Sequence, residues 1–101
     1  LSSVASGTPT PGLDSIEPLH SRALRILTSQ YGTNHPRVAM ALNNLSKVLS
    51  KKGKQSEAQA MLETALNILR KIHGENHPHV AAAVHNLGNV LFIIVIYLFY
   101  P

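Results

Sequence analysis

The sequence predicts an all-α protein, an α-solenoid built from antiparallel helix hairpins. Residues 32–49 return at residues 74–91 with an offset of 42 residues, and self-similarity at such a period is typical of repeat architectures. Between the two copies, apolar residues recur at three- and four-residue steps, the spacing of helices that bury one face. The chain therefore holds about one full repeat, flanked by a half-repeat on each side.

Composition excludes some kinds of site and leaves the partner open. The 101 residues include no cysteine, which rules out disulfides and thiolate metal sites. The net charge of +4 favours weak attraction to anionic partners without identifying one. The sequence begins with Leu1 rather than methionine and shows no secretion signal. We therefore expect an excerpt, or fragment, of a cytoplasmic protein.

Residues 1–13 predict a disordered leader, because residues 1–12 are rich in Ser, Thr, Pro and Gly and have no periodic apolar face. The first helix is predicted over about residues 15–30, with Asp14 or Ser15 as N-cap. Its apolar positions are Ile16, Leu19, Ala23, Ile26 and Leu27. Gly32 is expected to end the helix in a left-handed conformation.

The second helix is predicted over about residues 36–52. Pro36 suits the first helical position because a missing N–H costs nothing there, and this places His35 at the cap. The apolar stripe is formed by Val38, Leu42, Leu45 and Leu49. Lysines and Gly53 suit the end of the helix and the turn that follows.

The third helix is predicted over about residues 56–72, with Ser56 as N-cap. Its buried seam is formed by Ala58, Leu62, Ala65, Leu69 and Ile72. Small residues let two helices approach closely, and the short connection makes the second and third helices an antiparallel pair. The fourth helix, about residues 78–91, repeats the second, with His77 and Pro78 at its start.

Residues 92–101 depart from the repeat. The repeat predicts glycine at position 95 and alanine at position 100, but the chain has Val95 and Tyr100. We interpret this apolar tail as foreign to the repeat pattern, standing where a partner helix is expected, as in a truncated or mis-spliced product. The uncharged run from Val90 is about half the length of a bilayer-spanning helix, so the sequence disfavours a membrane span.

Residues 43–65, NNLSKVLSKKGKQSEAQAMLETA, resemble a tetratricopeptide repeat. The pattern GxNHPxVAxxLNNL is similar to the long repeats of kinesin light chains and nephrocystin-like proteins. Aligning Ala58 with the usual alanine of the repeat's second helix places further residues on its apolar and small positions: Leu42, Leu45, Leu49, Gly53, Leu62 and Ala65. The chain departs from the pattern at Gln55, where an aromatic residue is usual, and the small residue after Leu45 is a serine, Ser46.

The resemblance implies a non-catalytic scaffold that binds a peptide or helix of a partner protein in a concave groove lined by the first helix of each hairpin. The implied groove positions are Met40, Asn43, Asn44, Lys47 and Lys51, then Ala82, His85, Asn86 and Asn89. Asparagine amides can hydrogen-bond a peptide backbone, and the lysines favour acidic ligand residues. Alternatively, Asn44 and Asn86 satisfy backbone groups at helix ends or between repeats.

Other chemistries find less support in the sequence. Three histidines lie close together, His73, His77 and His79, but capping explains His77, and few carboxylates are nearby. We therefore predict no metal site, no cofactor and no small-molecule substrate. No sequence motif of a hydrolase or a phosphate-binding loop is present, so we expect no enzymatic activity.

A second candidate function is a basic surface that binds RNA or an anionic membrane. Four lysines support it: Lys47, Lys51, Lys52 and Lys54. No aromatic residue is interleaved with them to stack on bases, which disfavours nucleic acid.

Overall fold

The computed structural model describes residues 13–100, and all regular structure in that range is helical. It consists of α1 (Leu13–Tyr31), α2 (Pro36–Lys51), α3 (Gln55–His73) and α4 (Pro78–Phe99). The prediction of an all-α helical repeat is confirmed. Residues 1–12 of the predicted leader lie outside the described residues, whereas Leu13 is already helical. Asp14 and Ser15 therefore lie within the first turn, and neither is the N-cap we predicted.

Successive helices pack on one another, and α2 also contacts α4. The core of the α2–α3 hairpin is formed by leucines of α2 against alanines and leucines of α3. One end of this core includes Leu45, Leu49, Ala58, Leu62 and Val90, all buried. At the other end, Leu42 packs with Ala65 and Leu69, again with residues of α4. The alanines at these facing positions keep the helices close, as the sequence indicated.

The repeated helix start is built as predicted. The backbone of His35 is extended and its Nδ1 accepts a hydrogen bond from the Arg37 N–H at 3.1 Å. His77 does the same for the His79 N–H at 3.1 Å. Each cap satisfies one of the free donors in the first helical turn, and a proline follows directly. Gly32 ends α1 with φ +82°, which favours glycine.

The turn between α2 and α3 differs in detail from the prediction. Helix α3 begins at Gln55 rather than at Ser56, and its N-cap residue is Lys54, whose side chain makes no capping bond. Gln55 is buried; its Nε2 donates to the Ser50 carbonyl at 2.8 Å and its Oε1 accepts from the Ser50 hydroxyl at 2.9 Å. The residue that replaces the usual aromatic therefore closes this turn with hydrogen bonds.

An ion pair fastens α1 to the same turn. The carboxylate of Glu17 contacts the Lys52 ammonium and lies 3.3 Å from the Lys54 Nζ. The hydrogen bond from Lys52 is the main reason that the pKa of Glu17 lies below its ordinary value. This contact helps to hold α1 in the stack.

Helix α4 is longer than predicted and runs to Phe99 instead of ending at about residue 91. Gly53, which turns the chain after α2 at φ +86°, corresponds to Val95 in α4, and valine continues the helix. By length and composition, α4 as a whole is long and apolar enough to cross a membrane. The sequence prediction had considered only the uncharged run that starts at Val90. Yet Val80, Ala83 and Val90 are buried within the helical stack.

Candidate functional site

The first helices of the two hairpins, α2 and α4, lie side by side and are joined by an asparagine pair. Asn86 Nδ2 donates to Asn43 Oδ1 at 2.8 Å. The Asn43 side chain is only 3% exposed, and its backbone carbonyl accepts from the Ser46 hydroxyl at 2.6 Å. The Asn43 side chain is therefore covered and already paired, and its predicted contact with a ligand stays a prediction. The side chain is buried because the next helix of the same type packs over it.

The pair joins successive repeats, but it differs from the alternative reading of Asn86, in which its amide satisfies a backbone group. The partner is a side-chain oxygen, not a backbone group. An amide that is buried needs such a partner, because an unpaired buried polar group is costly. Asn43 and Asn86 therefore fix how two successive repeats pack.

The remaining predicted positions stay accessible. Asn44, Lys47, Lys51, Ala82, His85 and Asn89 are exposed, and Met40 is half-buried. A shallow cleft of about 150 Å³ lies between α2 and α4. Four predicted site residues line it, namely Lys47, Lys51, Asn86 and Asn89. In α4 itself, Asn89 Nδ2 lies 3.4 Å from His85 Nε2. We refer to the exposed side chains of Asn44, Lys47, Lys51, His85 and Asn89 as the amide–lysine face.

A larger groove of about 500 Å³ lies between α1 and α2 and reaches the start of α4. It includes Met40 and Asn44, but its other walls were missed by the sequence reasoning. Those walls are His20, Ala23 and Leu27 of α1, Pro36, Arg37 and Ala41 of α2, and His79 of α4. The 42-residue register carried the missing signal, because His20, Ala23 and Leu27 correspond to Leu62, Ala65 and Leu69, which are fully buried in α3.

The three histidines near the start of α4 come together more closely than the sequence indicated. One ring nitrogen from each of His73, His77 and His79 lies within 4.8 Å of the others. The His73 and His77 rings stack with centroids 3.8 Å apart and planes 11° from parallel. Ring nitrogen lone pairs lie in the ring plane, so two parallel rings direct them side by side and not toward one ion. In addition, His77 Nδ1 already caps α4.

This cluster affects the protonation of its middle member. Loss of hydration on partial burial, with repulsion from His73 and His79, lowers the pKa of His77 below its ordinary value. The neutral ring is also the form that can cap α4, because a protonated imidazole has no acceptor. Within the described residues, His73 Nε2 is a buried atom without a hydrogen-bond partner. The cluster therefore favours the neutral form of His77 at the start of α4.

A stack of helix hairpins with an accessible polar face defines a helical-repeat protein of the binding-scaffold class. The sequence profile of the tetratricopeptide repeat matches residues 13–71, more than half of the chain. The chain belongs to the tetratricopeptide repeat family. Such repeats generally mediate protein–protein interaction and are typically non-catalytic. No curated protein matches the sequence.

Proposed function

We propose that this chain is a scaffold that binds an acidic segment of a partner protein along the amide–lysine face. The observation that carries the proposal is the position of Lys47 and Lys51. Both side chains are exposed one helical turn apart on α2, and both line the cleft that continues to Asn89 of α4. The face thus presents two cations beside side-chain amides.

The chemistry of this face suits an extended peptide. The Asn44 and Asn89 amides can each donate to a peptide carbonyl and accept from a peptide N–H, whatever the ligand's side chains are. The lysines add attraction to carboxylates, which contributes to association rate and selectivity more than to raw affinity. The buried Asn43–Asn86 pair holds α2 and α4 in register beneath the face.

The finer features of the proposal rest on the sequence resemblance. We propose that the repeats are of the 42-residue type found in kinesin light chains and nephrocystin-like proteins, and that the protein acts in the cytoplasm. A partner protein is proposed in preference to nucleic acid or a membrane. Placing the first half of α4 in a bilayer would cost free energy, because it carries polar side chains, among them His79, His85, Asn86 and Asn89.

Fluorescence anisotropy tests the proposal with a labelled peptide of alternating Glu and Ala, and with the same peptide carrying Gln in place of Glu. We expect the acidic peptide to bind more tightly. Lys47→Ala with Lys51→Ala should weaken that binding about tenfold, since two exposed charge pairs contribute about 1 to 2 kcal/mol together.

Arg25→Ala with Lys71→Ala is the matched control, because it removes two exposed cations of α1 and α3 that do not line the cleft. It should leave the affinity close to that of the unaltered chain. If both double variants lost the same affinity for the acidic peptide, the binding would be explained by non-specific attraction between charges. Tight binding of an unrelated single-stranded RNA that falls steeply with salt, with no peptide bound, would favour the RNA alternative instead.

A further inference from the structure

The repeat contains two kinds of helix, and the structure shows what each kind packs against. We call α2 and α4 the first-type helices and α1 and α3 the second-type helices. In the complete hairpin, α2 turns Leu42, Leu45 and Leu49 toward α3, and α3 turns Leu62, Ala65 and Leu69 toward α2. We call these two surfaces hairpin faces. Each is buried by a helix of the other type.

Helix α4 leaves its hairpin face open. Its Val84, Leu87 and Leu91 correspond to Leu42, Leu45 and Leu49 of α2. Leu42 and Leu49 are 8% and 1% exposed, whereas Val84 and Leu91 are 47% and 40% exposed. Leu87, between them, is half-buried against the core. Val95 and Leu98 continue the same apolar stripe into the last turns of α4, and both are exposed. By analogy with α2, this surface fits a second-type helix.

Helix α1 leaves the complementary face open. His20, Ala23 and Leu27 correspond to the fully buried Leu62, Ala65 and Leu69, yet Ala23 is exposed and the other two are half-buried. These three residues form one wall of the 500 Å³ groove, and α2 forms the other. The groove therefore lies where the register would place a first-type helix. Residues 1–12 have no first-type apolar pattern.

We propose that α4 of one copy of this chain occupies the groove of a second copy and forms a hairpin with its α1. The two open faces are the two halves of the interface that α2 and α3 already make within the chain. Val84 of one copy would then meet Ala23 and Leu27 of the next, as Leu42 meets Ala65 and Leu69. The contact is head-to-tail, so the pair of copies retains one free face of each kind, the groove of one copy and α4 of the other.

Two further features fit this arrangement. A hairpin between two chains needs no turn, which accounts for valine at position 95, where the covalent hairpin has Gly53. The register also predicts a polar contact. Asn44 holds the position in α2 that Asn86 holds in α4, and Asn86 donates to Asn43 of the preceding first-type helix. The residue of a neighbouring α4 that corresponds to Asn43 is His85, whose ring nitrogen can accept from Asn44.

This inference goes beyond the proposed function because it concerns the hairpin faces, while peptide binding concerns Lys47, Lys51 and Asn89. Asn44 and His85 belong to the amide–lysine face as well as to the proposed contact between copies, whereas Lys47, Lys51 and Asn89 do not line the groove. Failure of one proposal therefore leaves the other standing. Because a head-to-tail contact does not close on itself, we expect a series of oligomers that lengthens with concentration.

Size-exclusion chromatography with light scattering tests the proposal on the whole chain and two variants. Val84→Glu places a charge on the open face of α4, and Ala23→Glu places one in the groove. Both positions are exposed, so each variant should keep the helix content of the unaltered chain by circular dichroism. Each variant alone should form no oligomer longer than the monomer. The control Ala60→Glu, on an exposed position of α3, should assemble like the unaltered chain.

The decisive measurement is the mixture of the two variants. Val84→Glu retains a usable groove and Ala23→Glu retains a usable α4, so the mixture should give a one-to-one dimer and nothing longer. Assembly of Ala23→Glu alone, with no gain on mixing, would show a symmetric contact between two α4 helices and overturn the proposal. If the unaltered chain stayed monomeric at every concentration, the proposal would also be overturned, whether or not the acidic peptide binds.

Discussion

At the scale of single residues, equivalent positions in the two copies have different surroundings. Asn86 of α4 is equivalent to Asn44 of α2, 42 residues earlier. Asn86 donates a 2.8 Å hydrogen bond to Asn43, the neighbour of its equivalent. Asn44, which is equivalent to Asn86, remains exposed because no first-type helix precedes α2 within the described residues. Neighbours, not residue type, therefore decide which asparagine is structural.

The asparagine pair gives a test at this scale. Asn86→Ala leaves the buried Asn43 Oδ1 without its partner and should destabilise the fold by about 1 to 2 kcal/mol. Asn44→Ala, on the exposed equivalent position, should change stability by less than about 0.5 kcal/mol. Urea denaturation followed by circular dichroism measures both. Equal effects would mean that the bond between α2 and α4 contributes little.

The His77 cap predicts a dependence of stability on pH. The pKa of His77 in the folded chain lies below its ordinary value of 6.5, so under acidic conditions the unfolded chain binds more protons. The contribution of His77 to the free energy of unfolding is therefore fully present above pH 6.5, and it is lost as the pH falls below that value. His77→Asn keeps a good N-cap without an ionisable ring.

The urea midpoint of the unaltered chain should fall between about pH 7.5 and pH 5, within the range set by the ordinary histidine pKa. It should fall less for His77→Asn. At the higher pH the two chains should have similar midpoints, which controls for the substitution itself. If the urea midpoint fell equally in the unaltered chain and in His77→Asn, a group other than His77 would be responsible for the loss of stability.

At the scale of elements, the α2–α3 hairpin depends on small residues at its centre. Ala65 has no exposed surface and packs in the cluster that includes Leu42 and Leu69. Helix α4 shows the consequence of lacking such a partner, because Val84 and Leu91, the equivalents of Leu42 and Leu49, are exposed. The same apolar pattern thus gives a core in one helix and an open surface in another.

Overpacking tests this hairpin directly. Ala65→Leu should destabilise the fold by about 1 to 3 kcal/mol, since the added atoms must push α2 and α3 apart. Ala60→Leu, five residues earlier on the exposed side of α3, makes the same change in composition and should cost less than about 0.5 kcal/mol. Denaturant titration compares the two variants. If Ala65→Leu left the free energy of unfolding almost unchanged, Ala65 would not lie in the interface between α2 and α3.

At the scale of the whole molecule, the stack is short and nearly one-dimensional. Each helix packs on its neighbours in sequence, with α2 and α4 in additional contact. Stability in such folds is approximately a sum over repeats and their interfaces, and about three repeats are needed for a continuous core. One complete hairpin with two single flanking helices has few such interfaces.

We therefore expect the monomer to melt broadly and at modest temperature. Circular dichroism at low protein concentration, where assembly is minimal, measures this. The Val84→Glu variant supplies a monomer for comparison at higher concentration. If assembly adds hairpins, the unaltered chain should melt at a temperature that rises with concentration, whereas the variant should not. A sharp transition of the monomer at high temperature would contradict this description of its stability.

The positions of the helices followed well from the sequence, and those of the site residues followed less well. Histidine and proline fix the starts of α2 and α4, and glycine at +82° and +86° fixes the ends of α1 and α2, through local backbone chemistry. The end of α4 was placed too early, because the loss of one glycine leaves nothing to stop the helix. The burial of Asn43 did not follow from the sequence, because helical spacing alone does not reveal which neighbouring helix covers it.

By itself, the sequence determined the repeat, its period, the helical state of each segment and the buried stripe of α2, whereas Ile72, predicted to be buried in α3, is 39% exposed. These properties depend on the order of residues along one helix, which spacing and capping residues express directly. Only the tertiary structure decided that Asn43 is buried, that three histidines meet, and that the hairpin faces of α1 and α4 are open. The burial of Asn43 and the open faces depend on which helices pack against each surface, and the histidines meet because the chain turns between α3 and α4.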